Sequence, residues 1–169
     1  MVNHLLKLKN IKVLIFIPDT NDLEKFNFYK DNVYPELLSK IVFVQGTSLR
    51  ESIRLLGAKY TSMIIGPCTG LMHCASGIYS VQKDIPRPPI IVYKGFFDRM
   101  DESDDLHWWW GGNDVVECIM KLKESENLIC LSDIERAVLY HELDYTTKIE
   151  SHQLLEKISK KFQSDILAT

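Results

Sequence analysis

The stretch "SMIIGPCTGLMHCASGI", Ser62 to Ile78, decides how the chain folds. Met63, Ile64 and Ile65 form a short apolar run, Gly66 and Pro67 interrupt it, and a cysteine, Thr-Gly and an apolar stretch with one histidine follow. An apolar run bounded by turn residues reads as a buried strand. Thr69 to about Ile78 reads as a helix entered through Thr-Gly. The first N–H groups of such a helix lack intrahelical acceptors and sit at the positive end of its dipole. Gly70 lets an anion approach that backbone, the Thr69 hydroxyl adds a donor, and His73 lies one turn further on. This is a diphosphate cradle without lysine or arginine. The plain alternative makes Thr69 an N-cap and His73 a half-buried packing residue.

Working outward, Val13–Ile17, Ile41–Val44 and Ile90–Tyr93 are compact Ile/Val-rich runs of the kind found in strands covered on both faces. Leu128–Leu131 is a further candidate. The intervals read as helices. Asn21 precedes Asp-Leu-Glu, and the segment from Asp22 to about Val33 carries Leu23, Phe26 and Lys30 near helical spacing before Pro35. Ser48-Leu-Arg-Glu51 is a capping-box pattern, with Leu49, Ile53 and Leu56 on one face and Gly57 as a stop. Later segments, Ser132–His141 and Ile149–Ile166, also read as helices, the last placing Leu154, Ile158, Phe162 and Ile166 on one face. Strand and helix alternate as in a parallel α/β sheet, so the expected fold is a three-layer, Rossmann-like α/β domain occupying residues 1–169 as one unit.

The bulk composition sets limits. With 169 residues, 46% hydrophobic and 25% charged, the chain has the profile of an ordinary globular domain that needs no disulfide framework. A net charge of −3 gives no global electrostatic case for nucleic acid. Cys68, Cys74, Cys118 and Cys130 lack paired CxxC spacing, and reduced thiols in the cytoplasm are expected. Val13–Ile17 is too short for a membrane span or a signal-peptide core.

Two stretches carry a family resemblance. "VQGTSLRESIRLLGAKYTSMIIG", Val44 to Gly66, resembles a Gly/Ser-Leu-x-Glu helix followed by an alanine and the next strand, and "GPCTGLMHCASGI", Gly66 to Ile78, resembles a D-T-G-x-x-H-x-A-A-x-G signature. In this order and separation they are similar to the donor-binding, C-terminal half of GT-B glycosyltransferases of family 9, the ADP-heptose:lipopolysaccharide heptosyltransferase group. The likeness runs from Ile11 to Tyr93, about half the chain.

The resemblance implies a nucleotide-sugar donor as substrate, with no cofactor and no metal. It assigns the donor diphosphate to Thr69, Gly70 and His73, and the nucleobase to the segment holding Thr47 and Ser48. Ribose hydroxyls fall to Asp22 or Glu24, which also serve as helix-start residues. An acceptor glycan or glycolipid, such as lipopolysaccharide core, would complete the reaction in the cytoplasm or at the inner face of the membrane. The sequence departs from the pattern at Cys68, where the family has Asp. In GT-B enzymes the acceptor and general base come largely from a preceding domain, and only ten residues precede Ile11 here. That domain is expected either upstream or on a separate chain, no catalytic residue is nominated, and this chain alone is expected not to transfer sugar efficiently. The rival is a non-catalytic nucleotide-binding or protein-interaction module sharing the fold.

Other constellations have alternatives of their own. Cys68, His73 and Cys74 lack a fourth zinc ligand and the usual paired spacing. A Cys68 nucleophile with His73 as base gains from a helix N-terminus, but no phosphatase-like arginine follows. Between Lys94 and Asn113 lie Trp108–Trp109–Trp110, read as a sugar- or partner-stacking surface or as a loop capping the sheet. The same stretch holds Asp98, Asp101, Glu102, Asp104 and Asp105, read as a metal site or as a solvated loop.

Overall fold

A computed structural model describes residues 1–7, 10–17, 22–82, 87–93, 115–144 and 149–161. The Trp108–Trp110 run, the acidic residues from Asp98 to Asp105, Asn21, Phe162 and Ile166 lie outside them. The chain divides into two compact units, and the boundary falls at the end of one helix, between Leu55 and Leu56.

The first unit carries helix α1 (Val2–Leu6), strand β1 (Val13–Ile17), helix α2 (Leu23–Asn32), a 3-10 turn at Pro35–Lys40, strand β2 (Ile41–Gln45) and helix α3 (Leu49–Leu56). β1 and β2 pair in parallel, with Val13 opposite Ile41 and Ile17 opposite Gln45. Alternation puts Val13, Ile15, Ile41 and Phe43 on one face. There they pack with Leu6, Val33, Leu37 and Leu38 into a core. α2 joins that face through Phe26, whose ring centre lies 4.6 Å from that of Phe43. α2 is capped by Asp22, whose Oδ1 accepts from the Lys25 amide at 3.0 Å. The capping box of α3 forms as its sequence predicts, with the Ser48 amide donating to Glu51 Oε2 at 2.8 Å and the Glu51 amide to Ser48 Oγ at 3.3 Å.

The second unit is built on a four-stranded sheet ordered β3 (Ile64–Pro67), β4 (Ile90–Tyr93), β5 (Val116–Lys121) and β6 (Leu128–Cys130). The first three strands are parallel and β6 is antiparallel. Helix α4 (Gly70–Val81) follows β3, and helix α5 (Ser151–Lys161) lies near the end of the described chain. The register reveals the layering. Gly66, Val92 and Cys118 are paired across three strands and share a face, and Gly66 abuts Met72 of α4. Glu117, one residue from Cys118, faces the other way and meets Lys161 of α5. Helices thus cover opposite faces of the sheet, and β4 is apolar throughout because both its faces are buried: Ile90 and Ile91 are fully inaccessible.

Both units are thus mixed α/β with open, mostly parallel sheets, an architecture compatible with a Rossmann-like fold. Three readings are corrected. β3 runs to Pro67 rather than ending at Ile65; an edge strand tolerates a proline at its end, where the missing N–H costs no ladder bond. β5 escaped the sequence reading because Glu117 breaks its apolar run. The helix expected over Ser132–His141 does not form: 3-10 turns occupy Leu131–Asp133 and Tyr140–Glu142 instead. Just beyond that segment the chain pairs back on the end of β5, where Glu142 O accepts from the Lys123 amide and the Asp144 amide donates to Lys121 O, both at 2.8 Å.

Tyr79, fully buried on α4, donates its hydroxyl to the Leu56 carbonyl at 2.8 Å. Tyr79→Phe leaves that carbonyl unmet and is expected to lower stability by about 1 kcal/mol, read as a lower urea midpoint at unchanged m-value.

Candidate functional site

α4 begins where β3 ends, at the carboxyl edge of the parallel strands, which is where open α/β sheets bind ligands. Thr69 is its N-cap, in extended conformation (φ −142, ψ 165), and its side chain makes no capping bond. The Thr69 carbonyl accepts from the amides of Met72 at 3.0 Å and His73 at 3.2 Å. The Gly70 and Leu71 amides precede these first bonds and have no acceptor within the helix. Thr69 and Gly70 are both exposed.

Two glycines frame the turn with different roles. A Cβ on Gly66 would lie 2.9 Å from Met72 Sδ, so Gly66 is what lets α4 sit down on β3. A Cβ on Gly70 would meet nothing within 4 Å. Among the described residues no atom requires a glycine there, and Gly70 is exposed.

Cys68 lies beneath this turn, 6% exposed, with Sγ 3.9 Å from His73 Nε2. Burial pushes the thiol pKa up and pulls the half-buried imidazole pKa down, each because the charged form loses water. Near neutrality the pair is thiol and neutral imidazole, not thiolate and imidazolium, and the nucleophile reading loses its physical basis. Among the described residues no three His, Cys, Asp or Glu side chains converge as a metal site. Nor is any described helix long and apolar enough to cross a membrane.

The remaining donor-site candidates belong to the first unit. Thr47 and Ser48 follow β2 after Gly46, whose φ of 64 turns the chain sharply. Asp22 stands at the start of α2, so all three lie at the carboxyl edge of the β1–β2 pair. Each has an internal role. The Ser48 hydroxyl donates to Glu51 at 2.7 Å, and Thr47 Oγ1 lies 2.9 Å from Ser52 Oγ. Asp22 pairs with Lys25 Nζ at 2.7 Å, and that contact holds its carboxyl below the usual range. Glu24 is exposed in the first turn of α2. The structure therefore brings Thr69, Gly70 and His73 together at one helix start and leaves Thr47, Ser48, Asp22 and Glu24 in the other unit.

Sequence reading missed a second polar cluster, in which Glu117, Ser132, Asp133, Lys157 and Lys161 meet. Its signal was the i,i+4 pair Lys157 and Lys161 beside the apolar pair Leu154 and Ile158. No protein-family model, no curated protein and no solved structure matches the chain.

Two outcomes follow from the buried pair. Alkylation of Cys68 should be slow near neutrality and accelerate only above the ordinary thiol value of 9.0, as a rate profile against pH would record. The unfolded imidazole titrates near 6.5 and the folded one lower. The His73 contribution is thus complete above 6.5 and is lost as pH falls through the folded value. His73→Gln should flatten that part of a stability–pH curve measured with urea.

Proposed function

We propose that this chain is the nucleotide-diphospho-sugar-binding domain of a glycosyltransferase, of the heptosyltransferase-like family-9 type, corresponding to the C-terminal half of a GT-B enzyme. One observation carries the reading: the α4 start presents Thr69 and Gly70 exposed at the carboxyl edge of β3, with Gly70 open on its Cβ side. His73 follows within the first turns of the same helix. The motif likeness from Val44 to Ile78 adds the substrate class.

The chemistry follows from what those groups can do. In transfer, the bond between the sugar's anomeric carbon and the β-phosphate oxygen breaks, and the acceptor oxygen bonds to that carbon. Negative charge builds on the departing diphosphate, and the Gly70 and Leu71 amides with the Thr69 hydroxyl are donors aimed at it. The acceptor's proton leaves to a base outside the residues named here, supplied by an acceptor domain that positions a glycan such as lipopolysaccharide core.

A second reading, a non-catalytic nucleotide-binding or interaction module, is favoured by Cys68. A buried neutral thiol stands where the family signature has a carboxylate.

Calorimetric titration with ADP-, UDP- and GDP-sugars separates the two. Binding of one of them, weakened more than tenfold (about 1.4 kcal/mol or more) by Gly70→Val, is the expected result. Gly77→Ala, equally open on the same helix, should leave affinity unchanged. A Cβ on Gly70 meets no described atom within 4 Å, and an unchanged thermal midpoint of Gly70→Val, measured alongside, shows that lost binding reports lost access. Absence of heat with all three donors supports the interaction module.

A further inference from the structure

The cluster missed in the sequence lies at the amino edge of the same sheet, beside the start of β5 and the end of β6. Glu117 is 5% exposed. Its carboxylate accepts from the Ser132 amide at 3.2 Å and from the Ser132 hydroxyl, and lies 3.5 Å from Lys161 Nζ. Lys161 also donates to Ser132 Oγ and to Asp133 Oδ1, each at 2.7 Å. Lys157, one turn earlier on α5, lies 3.7 Å from Asp133 Oδ2. Glu117 and Ser132 belong to the sheet and the turn after it, whereas both cations come from α5.

We propose that this network is a charge-operated latch, seating α5 over β6 and Cys130 and letting the helix lift as a unit when the latch opens. α5 buries two side chains, Leu154 and Ile158. Burial of two aliphatic groups is small beside the entropy of ordering an eleven-residue helix. The polar end therefore decides whether α5 stays docked. A buried carboxylate is tolerated only when paired, so docked Lys161 and buried Glu117 support each other. Beneath the helix, Cys130 is fully inaccessible. Its surroundings record who its neighbours are: burial and the Glu117 carboxylate push the thiol up to about 11, against the pull of Lys157 and Lys161. Cys118 is also buried, but on the sheet face covered by α4, so it stays covered when α5 alone lifts.

The two thiols make the latch testable. Intact protein is treated with a neutral maleimide, and the modified cysteines are located by peptide mass. In the wild type Cys130 should be labelled faster than Cys118. Lys161→Met should raise the Cys130 rate about tenfold, the scale of one lost charge-assisted bond, and leave Cys118 unchanged. Lys160→Met, whose pair with Glu156 is fully on the surface, should change neither rate. Equal labelling of both cysteines in every variant, or a Cys130 rate indifferent to Lys161→Met, overturns the proposal.

Discussion

The position of α4 depends on a missing side chain. A Cβ on Gly66 would stand 2.9 Å from the Met72 sulfur, so a larger residue there would make the flexible Met72 side chain shift against β3. Close packing fixes where the helix can begin. With Met72 pinned on β3, only Cys68 and Thr69 separate the last strand residue from the first helical one, and the chain must turn within them. That is why the free amides of Gly70 and Leu71 emerge at the carboxyl edge of the sheet rather than above its face. The geometry that suits an anion is thus a by-product of core packing two turns of sequence away.

The electrostatics of that helix start follow from burial. Cys68 and His73 both sit where charge is penalised, one with its pKa raised and the other with its pKa lowered. Neither supplies a full positive charge, and neither supplies a negative one. What attracts an anion is then confined to backbone dipoles, which are short-ranged and weakly screened only at contact. Such a site discriminates by shape and proximity more than by long-range steering. The family signature's carboxylate would add repulsion toward a diphosphate while organising the turn; here the Thr69 carbonyl, accepting from both Met72 and His73, organises it without that cost.

How much of this could be read from the chain depended on whether the signal was local. β1, β4 and the α3 capping box were legible because strand hydrophobicity and Ser48-x-x-Glu51 are decided within a few residues. The Thr69–Gly70 helix start was legible for the same reason. β5 was not, since a buried Glu117 makes sense only once Ser132 and Lys161 are beside it. The segment from Ser132 to His141 failed in the opposite direction. Its local pattern suits a helix, but the Ser132 amide and hydroxyl are held by Glu117 and the residues just after it pair with Lys121 and Lys123, and tertiary context overrides propensity. The division of the chain at Leu55 and Leu56 also left no mark, because no Pro-, Gly- or Ser-rich linker accompanies it.

The two polar centres of the second unit obey opposite rules because they occupy opposite edges of one sheet. At the amino edge, charges are abundant and mutually bonded: Glu117 and Asp133 face Lys157 and Lys161, so their field largely cancels at a distance. Such a group contributes cohesion. At the α4 start, Cys68 and His73 are uncharged near neutrality and the Gly70 and Leu71 amides have no acceptor within the helix. Such a group contributes little cohesion and retains its capacity to bind. A parallel sheet enforces this division, since each crossover returns helix starts to the carboxyl edge and helix ends to the amino edge. Lys160 and Lys161, in the last turn of α5, are therefore in the place where a cation is favoured by the helix dipole and where an acidic partner from the sheet can meet it.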